Sequence, residues 1–402
     1  MNKFETLKKY SSLVLLIIAF IPGTVSGQES VATVKGAEAT APAQILKYYN
    51  EWYQSGHADQ RLANMINSSA ISDPDKTACL MCHTEKGFIE WSKQGFASPN
   101  ISSPSMLSET NTTRSPTCMA CHDYNAEVSQ SQGKTDPMIR LKESPSLLMG
   151  GYRAGGLGLG ANCIICHTSI NGKVNDSSMP QLKESMAPHR STQGDVVMGE
   201  NFFFVETPQP TYHLDAIYNT CTGCHMGSTY GGGEPTRHSF QASFQSCSEC
   251  HYDIDPQSIK YSVMRGVKQL KKAIDKAVTE FIQNGLDTGS FILQKVNAAG
   301  KTNKEYTSFS KGQVSNVSSQ YLNGRQAVSV EIDGELYLSY IDALEAEGIK
   351  LLDSPEGQVI AKAGWNLYMI KMDGSNGAHN PQFISEVLET TKEKITSIGA
   401  RP

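Results

Sequence analysis

Five times in this chain two cysteines stand three positions apart with a histidine directly after the second. The units are Cys79/Cys82/His83, Cys118/Cys121/His122, Cys163/Cys166/His167, Cys221/Cys224/His225 and Cys247/Cys250/His251. The chain has ten cysteines, and these units use all of them. Cys-x-x-Cys-His is the attachment signature of c-type haem. Each thiol adds to a vinyl group of the porphyrin, and the histidine is delivered to the iron as its proximal ligand. A redox dithiol or a zinc knuckle does not require a histidine after every second cysteine. Neither does an oxidised, disulfide-stapled scaffold. The residues therefore predict five covalently bound haem c groups.

An iron with histidine on one side still has a second axial position, and its occupant decides between electron transfer and chemistry on a bound molecule. Outside the motifs the chain has five histidines: His57, His189, His213, His238 and His379. Five irons and five spare histidines predict bis-histidine ligation throughout. His213 lies shortly before the fourth motif, and His238 lies between the fourth and fifth, so haem-bearing backbone tethers both. His379 sits in "DGSNGAHNP", where glycines permit a close approach and a helix start fixes the ring. His57, in "QSGHADQ", and His189, in "APHRSTQGD", have less context. Methionine is a rival ligand, but Met226 directly follows a motif and is too close in sequence to reach across its own iron.

These ligands must be positioned by the elements around them. Residues 1–27 have the layout of a secretory signal peptide: Lys3, Lys8 and Lys9, the apolar run Leu13–Ile21, then small residues up to Gly27. The apolar run is too short to span a bilayer, and no later segment is apolar enough to do so. The mature chain is expected to have no membrane span and to be periplasmic or secreted. Residues 28–255 read as a pentahaem-binding domain, opening on a small, polar lead-in at 28–45 and rich in Gly, Ser, Pro and Asn. The stretch "GGYRAGGLGLGANC", Gly150 to Cys163, lacks the ending of a phosphate loop. It reads as backbone that can lie close to a haem face.

Residues 256–402 read as a mainly helical C-terminal domain that supplies one distal ligand. Ile259, Val263, Val267, Leu270, Ile274, Val278, Phe281 and Ile282 recur at helical spacing between Asp255–Pro256 and Asn284–Gly285. A second helix is predicted from Ser354–Pro355–Glu356 towards Met372. A third follows Asn380–Pro381 and buries Phe383, Val387, Leu388 and Ile395. Between the first two, Val328, Val330 and Ile332 alternate up to Asp333–Gly334, with Leu336 and Leu338 alternating after it, which predicts a β-hairpin with a tight turn. The expected fold is mainly α, with a haem-dominated core, long loops, C-terminal helices and a small β-hairpin. Hydrophobic content of 39% is low for this length, so porphyrins are expected to supply part of the core. The formal charge of −5 argues against a nucleic-acid partner.

The ligand order resembles that of pentahaem cytochrome c nitrite reductase: five motifs, a histidine before the fourth, another between fourth and fifth, and a late Gly-x-His. The resemblance implies that His57 serves the third haem (His167) and His213 the fifth (His251). It likewise implies that His238 serves the second (His122) and His379 the fourth (His225). In that family the first haem is catalytic, and a histidine near the place of His189 lines its open side. Here the first haem's proximal residue is His83 where that family typically has lysine. "TSINGKVND" after His167 contains no tyrosine, and "SSAISDPDKTA" before Cys79 offers Lys76 but no arginine. Two of the groups that would orient and protonate nitrite in that family are therefore absent.

"CLMCHTEKGFIEW", "APHRSTQGD", "YHLDAIYNTCTGCHM" and "GAHNPQFISEVLETT" look like segments of multihaem electron-carrier cytochromes of respiratory bacteria. In such carriers a histidine like His189 is expected to cap the first iron. The leading expectation is an exported electron carrier with redox proteins as donor and acceptor. One alternative is a nitrite- or hydroxylamine-type reductase at an open first haem, with His189, Arg190, Tyr152 and Arg153 as proton donors and electrostatic clamp. Another is a homo-oligomer or filament subunit that takes a ligand from its neighbour.

Overall fold

The computed structural model describes residues 43–68, 79–96, 114–123, 139–177 (without 142, 145–146 and 171), 189–227 (without 218) and 237–286 (without 243 and 254). It also describes residues 291–296, 302–309, 311–322, 325–340 and 354–398. The signal-peptide segment lies outside them. Among the described residues no helix is long and apolar enough to cross a membrane.

Two short helices come first, α1 (Ala43–Tyr53) and α2 (Gln60–Ser68), joined through a 3-10 turn at Gly56–Ala58. Next is α3 (Glu85–Lys93), started by Thr84, whose hydroxyl accepts the Gly87 N–H at 3.1 Å as an N-cap should. Its buried Phe88 and Trp91 join Phe96, Leu148, Tyr152 and Leu157 in a first apolar cluster. Apart from α3, the described residues between the Cys-x-x-Cys-His units are mostly loop and single helical turns, as their composition predicts.

Helix α4 (Gln193–Met198) ties this cluster to the rest. Val197 and Met198 pack into the first cluster, while Val196 packs into a second that holds the C-terminal helices. The helix stops at Gly199, whose φ of 61° is the left-handed conformation glycine adopts without strain. A Cβ there would also strike the Gln209 carbonyl.

The second cluster is built by α5 (Pro256–Leu286), α6 (Pro355–Asp373) and α7 (Pro381–Ile398). Val263, Leu270, Ile274 and Val278 of α5 are buried at the predicted spacing, and Val267 and Phe281 are partly so. Ser354 caps α6, accepting the Gly357 N–H at 2.9 Å, and Gly374 ends it at φ 73°. In α7 Phe383, Val387, Leu388 and Ile395 face inward. Burying a phenylalanine such as Phe202, Phe203 or Phe383 contributes about 2–3 kcal/mol relative to leaving it in water. Polar stitches then fix the loop after α4 to these helices. The Trp365 indole N–H donates to the Asn201 carbonyl at 2.9 Å, and the Asn366 amide spans both backbone groups of Phe203 at 2.9 and 2.8 Å.

Between α5 and α6 lies an antiparallel sheet of five strands: β1 (Phe291–Val296), β2 (Thr302–Phe309), β3 (Val314–Leu322), β4 (Arg325–Ile332) and β5 (Glu335–Tyr340). Their order is β2-β1-β5-β4-β3. The predicted hairpin is β4–β5, turning at Asp333 and Gly334 with φ of 50° and 82°, the positive pair a two-residue turn needs. Two features differ from the sequence reading. The sheet is larger than a hairpin, because β1, β2 and β3 are strands without clean apolar alternation. Among the described side chains of β5 the buried one is Tyr337, opposite Val330, whereas Leu336 is exposed. Cross-strand register sets that face, since Val330 and Ile332 of β4 are the residues facing the core.

Candidate functional site

Each Cys-x-x-Cys-His unit is a single helical turn. The histidine N–H of three units donates to the carbonyl of the first cysteine, His122 to Cys118 at 2.8 Å, His167 to Cys163 at 2.9 Å and His251 to Cys247 at 2.8 Å. One turn brings positions i, i+3 and i+4 to a common face. Two thiols and one imidazole are thus presented together, as thioether attachment and axial ligation require. The units also touch one another. The Cys163 and Cys221 sulfurs lie beside each other, and so do those of Cys166 and Cys82. The third motif is therefore wedged between the first and the fourth.

Each motif histidine has one of the five other histidines standing across from it. Ring centroids are 5.8 Å apart for His83 and His189, 6.3 Å for His122 and His238, and 6.1 Å for His57 and His167. They are 6.1 Å apart for His225 and His379, and 6.3 Å for His213 and His251. Two imidazoles on opposite faces of one metal, each with a metal–nitrogen bond of about 2.0 Å, would have ring centroids roughly 6 Å apart. Aromatic rings in direct contact span about 4.5–7 Å between centroids, as Tyr48 and His238 do at 4.5 Å and Phe88 and Trp91 at 6.4 Å. What points to an iron is therefore the same spacing recurring at every motif histidine. The spacing fits an iron between each pair. Among the described residues no three His, Cys, Asp or Glu side chains converge to hold a bare metal ion.

Local structure explains how each of the five facing rings is aimed. Ser55 caps the 3-10 turn by accepting the His57 N–H at 3.2 Å, and Phe240 packs edge-on to the His57 ring at 4.4 Å. Glu51 of α1 accepts the His238 N–H at 2.7 Å while Tyr48 lies against its ring. His213 opens a single helical turn. His189 Nδ1 meets Ser191 Oγ at 3.0 Å, and that hydroxyl donates to the Thr168 carbonyl just beyond the third motif. His379 follows a tight loop after α6, its Nδ1 on Asp373 Oδ1 at 2.6 Å.

Electrostatics favour neutral rings. Burial, helped by His167, pulls His57 down to about 4, and burial with His189 and His167 beside it pulls His83 to about 4. A neutral imidazole offers a lone pair to a metal, which a protonated one cannot. His379 departs from this pattern. Burial lowers it, but the charge and hydrogen bond of Asp373 outweigh that and raise it overall.

Two of the other candidates for catalysis at an open first haem, Tyr152 and Arg190, are otherwise engaged. Tyr152 is buried, its hydroxyl 2.9 Å from Thr168 Oγ1, and burial and Asp195 push it well above its ordinary pKa, which makes it a poor proton donor. Arg153 is exposed, and Arg190 hydrogen-bonds Tyr368. Sequence reasoning missed Gln193, which holds His167 Nδ1 at 3.1 Å and donates to the Met372 and Asp373 carbonyls, both at 3.2 Å. It also missed Arg140, whose guanidinium gathers the Met119, Ala120 and His122 carbonyls of the second motif and Asp123. Neither residue belongs to a local motif that could have flagged it.

No family model matches the chain, and no curated protein matches it. Among solved structures it is similar to the crystal structure of an outer cell wall cytochrome, OcwA. The identity is 16% and the TM-score 0.44, over 87% of this chain and 50% of that one. The chain thus spans about half the length of that protein.

Proposed function

We propose that this chain is an exported pentahaem c-type cytochrome that carries electrons through five bis-histidine haems. The observation that supports it is the set of five facing histidine pairs, 5.8 to 6.3 Å between centroids, each with one ring from a Cys-x-x-Cys-His turn. Haem c, when bound, supplies the one-electron ferric/ferrous couple. The protein's own residues hold the porphyrin by Cys79, Cys82, Cys118, Cys121, Cys163, Cys166, Cys221, Cys224, Cys247 and Cys250. His83, His122, His167, His225 and His251 would bind the irons, with His189, His238, His57, His379 and His213 as the facing ligands. Two rigidly held imidazoles keep the same geometry in both oxidation states, so little reorganisation opposes transfer. The cysteine contacts of the third motif with the first and fourth support a closely packed relay.

The reading of a reductase with an open first haem is weakened by the place of His189 and by the engagement of Tyr152. Redox proteins outside the cytoplasm are the proposed donor and acceptor. The test is mass spectrometry and low-temperature electron paramagnetic resonance on the purified ferric protein. Five added haem masses and wholly low-spin signals are expected. A colourless protein, or a high-spin signal of about one haem in five, would overturn the proposal.

A further inference from the structure

Among the described residues, four of the five histidine pairs show what a second ring nitrogen touches, and they differ. A ligating imidazole keeps a proton on the nitrogen that faces away from the metal, and the acceptor of that proton tunes how much electron density the ring lends. His189 meets a hydroxyl, His167 the Gln193 amide oxygen, and His225 the Phe240 carbonyl at 2.9 Å. The Nδ1 atoms of His57 and His238 are buried without a partner among the described residues. His379 meets a carboxylate, at 2.6 Å, and the Asp373 side chain is 2% exposed.

The fold fixes that carboxylate in place. Asp373 is the last residue of α6, and the left-handed Gly374 turns the chain back so that the histidine six positions on returns to it. Its other oxygen accepts the Ser375 N–H at 3.2 Å and the Ser375 hydroxyl. Ser375 in turn accepts the His379 N–H at 3.3 Å, closing the loop on itself. A buried anion acts through a low dielectric and is little screened. Across from His379, His225 also has a backbone carbonyl on its Nδ1, so both rings of this pair have acceptors.

We infer that Asp373 is a positioning residue that makes the His225/His379 site the most electron-rich of the five, and so the hardest to reduce. This rests on the bis-histidine ligation proposed above. Reduction there adds one electron, supplied by an outside reductant, to ferric iron. It makes or breaks no bond, and the Nδ1 proton stays between His379 and Asp373.

The test is a dithionite titration of the full holoprotein, followed by electron paramagnetic resonance of each low-spin signal. His379→Met marks the signal that belongs to this site. In the parent protein that signal should have the lowest midpoint. In Asp373→Asn, which keeps an acceptor but removes the charge, its oxidised-to-reduced balance should shift about tenfold, about 59 mV upward, with the other four steady. Asp373→Glu should return most of the shift. Ser375→Ala, which leaves the carboxylate on His379 and removes a competing donor from it, should not move the midpoint upward. The inference is overturned if all five midpoints stay in place in Asp373→Asn, or if Asp373→Glu and Asp373→Asn shift alike. It is overturned too if Asp373→Asn loses haem and Asp373→Glu, loaded with five, leaves this midpoint no lower than the others. A parent protein lacking five low-spin signals would instead sink the ligation reading, whatever the variants do.

Discussion

His83 and His189 face each other with 5.8 Å between ring centroids, the closest of the five histidine pairs. The first motif is the one where a family of reductases keeps an open position, so this pair decides between a carrier and a catalyst. Under the carrier reading, His189→Ala should convert about one haem in five to high spin and allow cyanide to bind there. Optical and resonance spectra check this. A variant that stays wholly low-spin would show that His189 is not a ligand.

Gly194 lies so close to the third motif that its N–H donates to the His167 carbonyl at 2.7 Å. A Cβ at this position would lie 2.7 Å from that same carbonyl oxygen and 2.5 Å from Ile164 Cγ1. Gly194→Ala should therefore push α4 off the motif and cost about 1–3 kcal/mol. Urea denaturation of the holoprotein should show a lower midpoint at unchanged slope. An unchanged midpoint would contradict the close approach.

Asn366 joins α6 to both backbone groups of Phe203 and to the fully buried Thr391 hydroxyl at 2.9 Å. Asn366→Ala leaves three buried polar partners unmatched, a loss of about 3 kcal/mol or more. Thermal unfolding is the check. The haem spectrum should survive below the new midpoint, because no haem-binding cysteine or histidine is altered.

Asp195 is completely buried beside the third motif. Burial pushes its carboxyl up to about 6 from 3.8, against the opposing pull of the Ser169 and Asn201 hydrogen bonds. The folded chain thus holds a proton between about pH 4 and 6 that the unfolded chain has released. Stability from this group is full below about pH 4 and falls as pH rises towards 6, by about 3 kcal/mol in all. Denaturation of the parent protein and Asp195→Asn across this window should show their difference changing with that sign. A flat difference would exclude it.

Much of this was legible locally. The five Cys-x-x-Cys-His turns follow from residues three and four apart, and a single helical turn brings them together whatever the rest of the chain does. The ends of α5, α6 and α7 were marked by Asp255–Pro256, Ser354–Pro355 and Asn380–Pro381, because capping depends on neighbours. The β4–β5 turn was marked by Asp333–Gly334 for the same reason. The spare histidines could be counted, and likeness to one family's ligand order suggested partners for four of them.

Tertiary structure decided what depends on distant chain. It set each spare histidine across from a motif histidine 38 or more residues away, and it built a five-stranded sheet where local alternation showed one hairpin. Strand pairing buried Tyr337 rather than Leu336, a matter of register that no single strand contains. Packing of α4 between two apolar clusters, Gln193 between His167 and the end of α6, and the return of His379 onto Asp373 are likewise products of the assembled fold. Covalent spacing and capping act over a few residues, whereas facing rings and buried hydrogen-bond partners exist only once separate segments have packed.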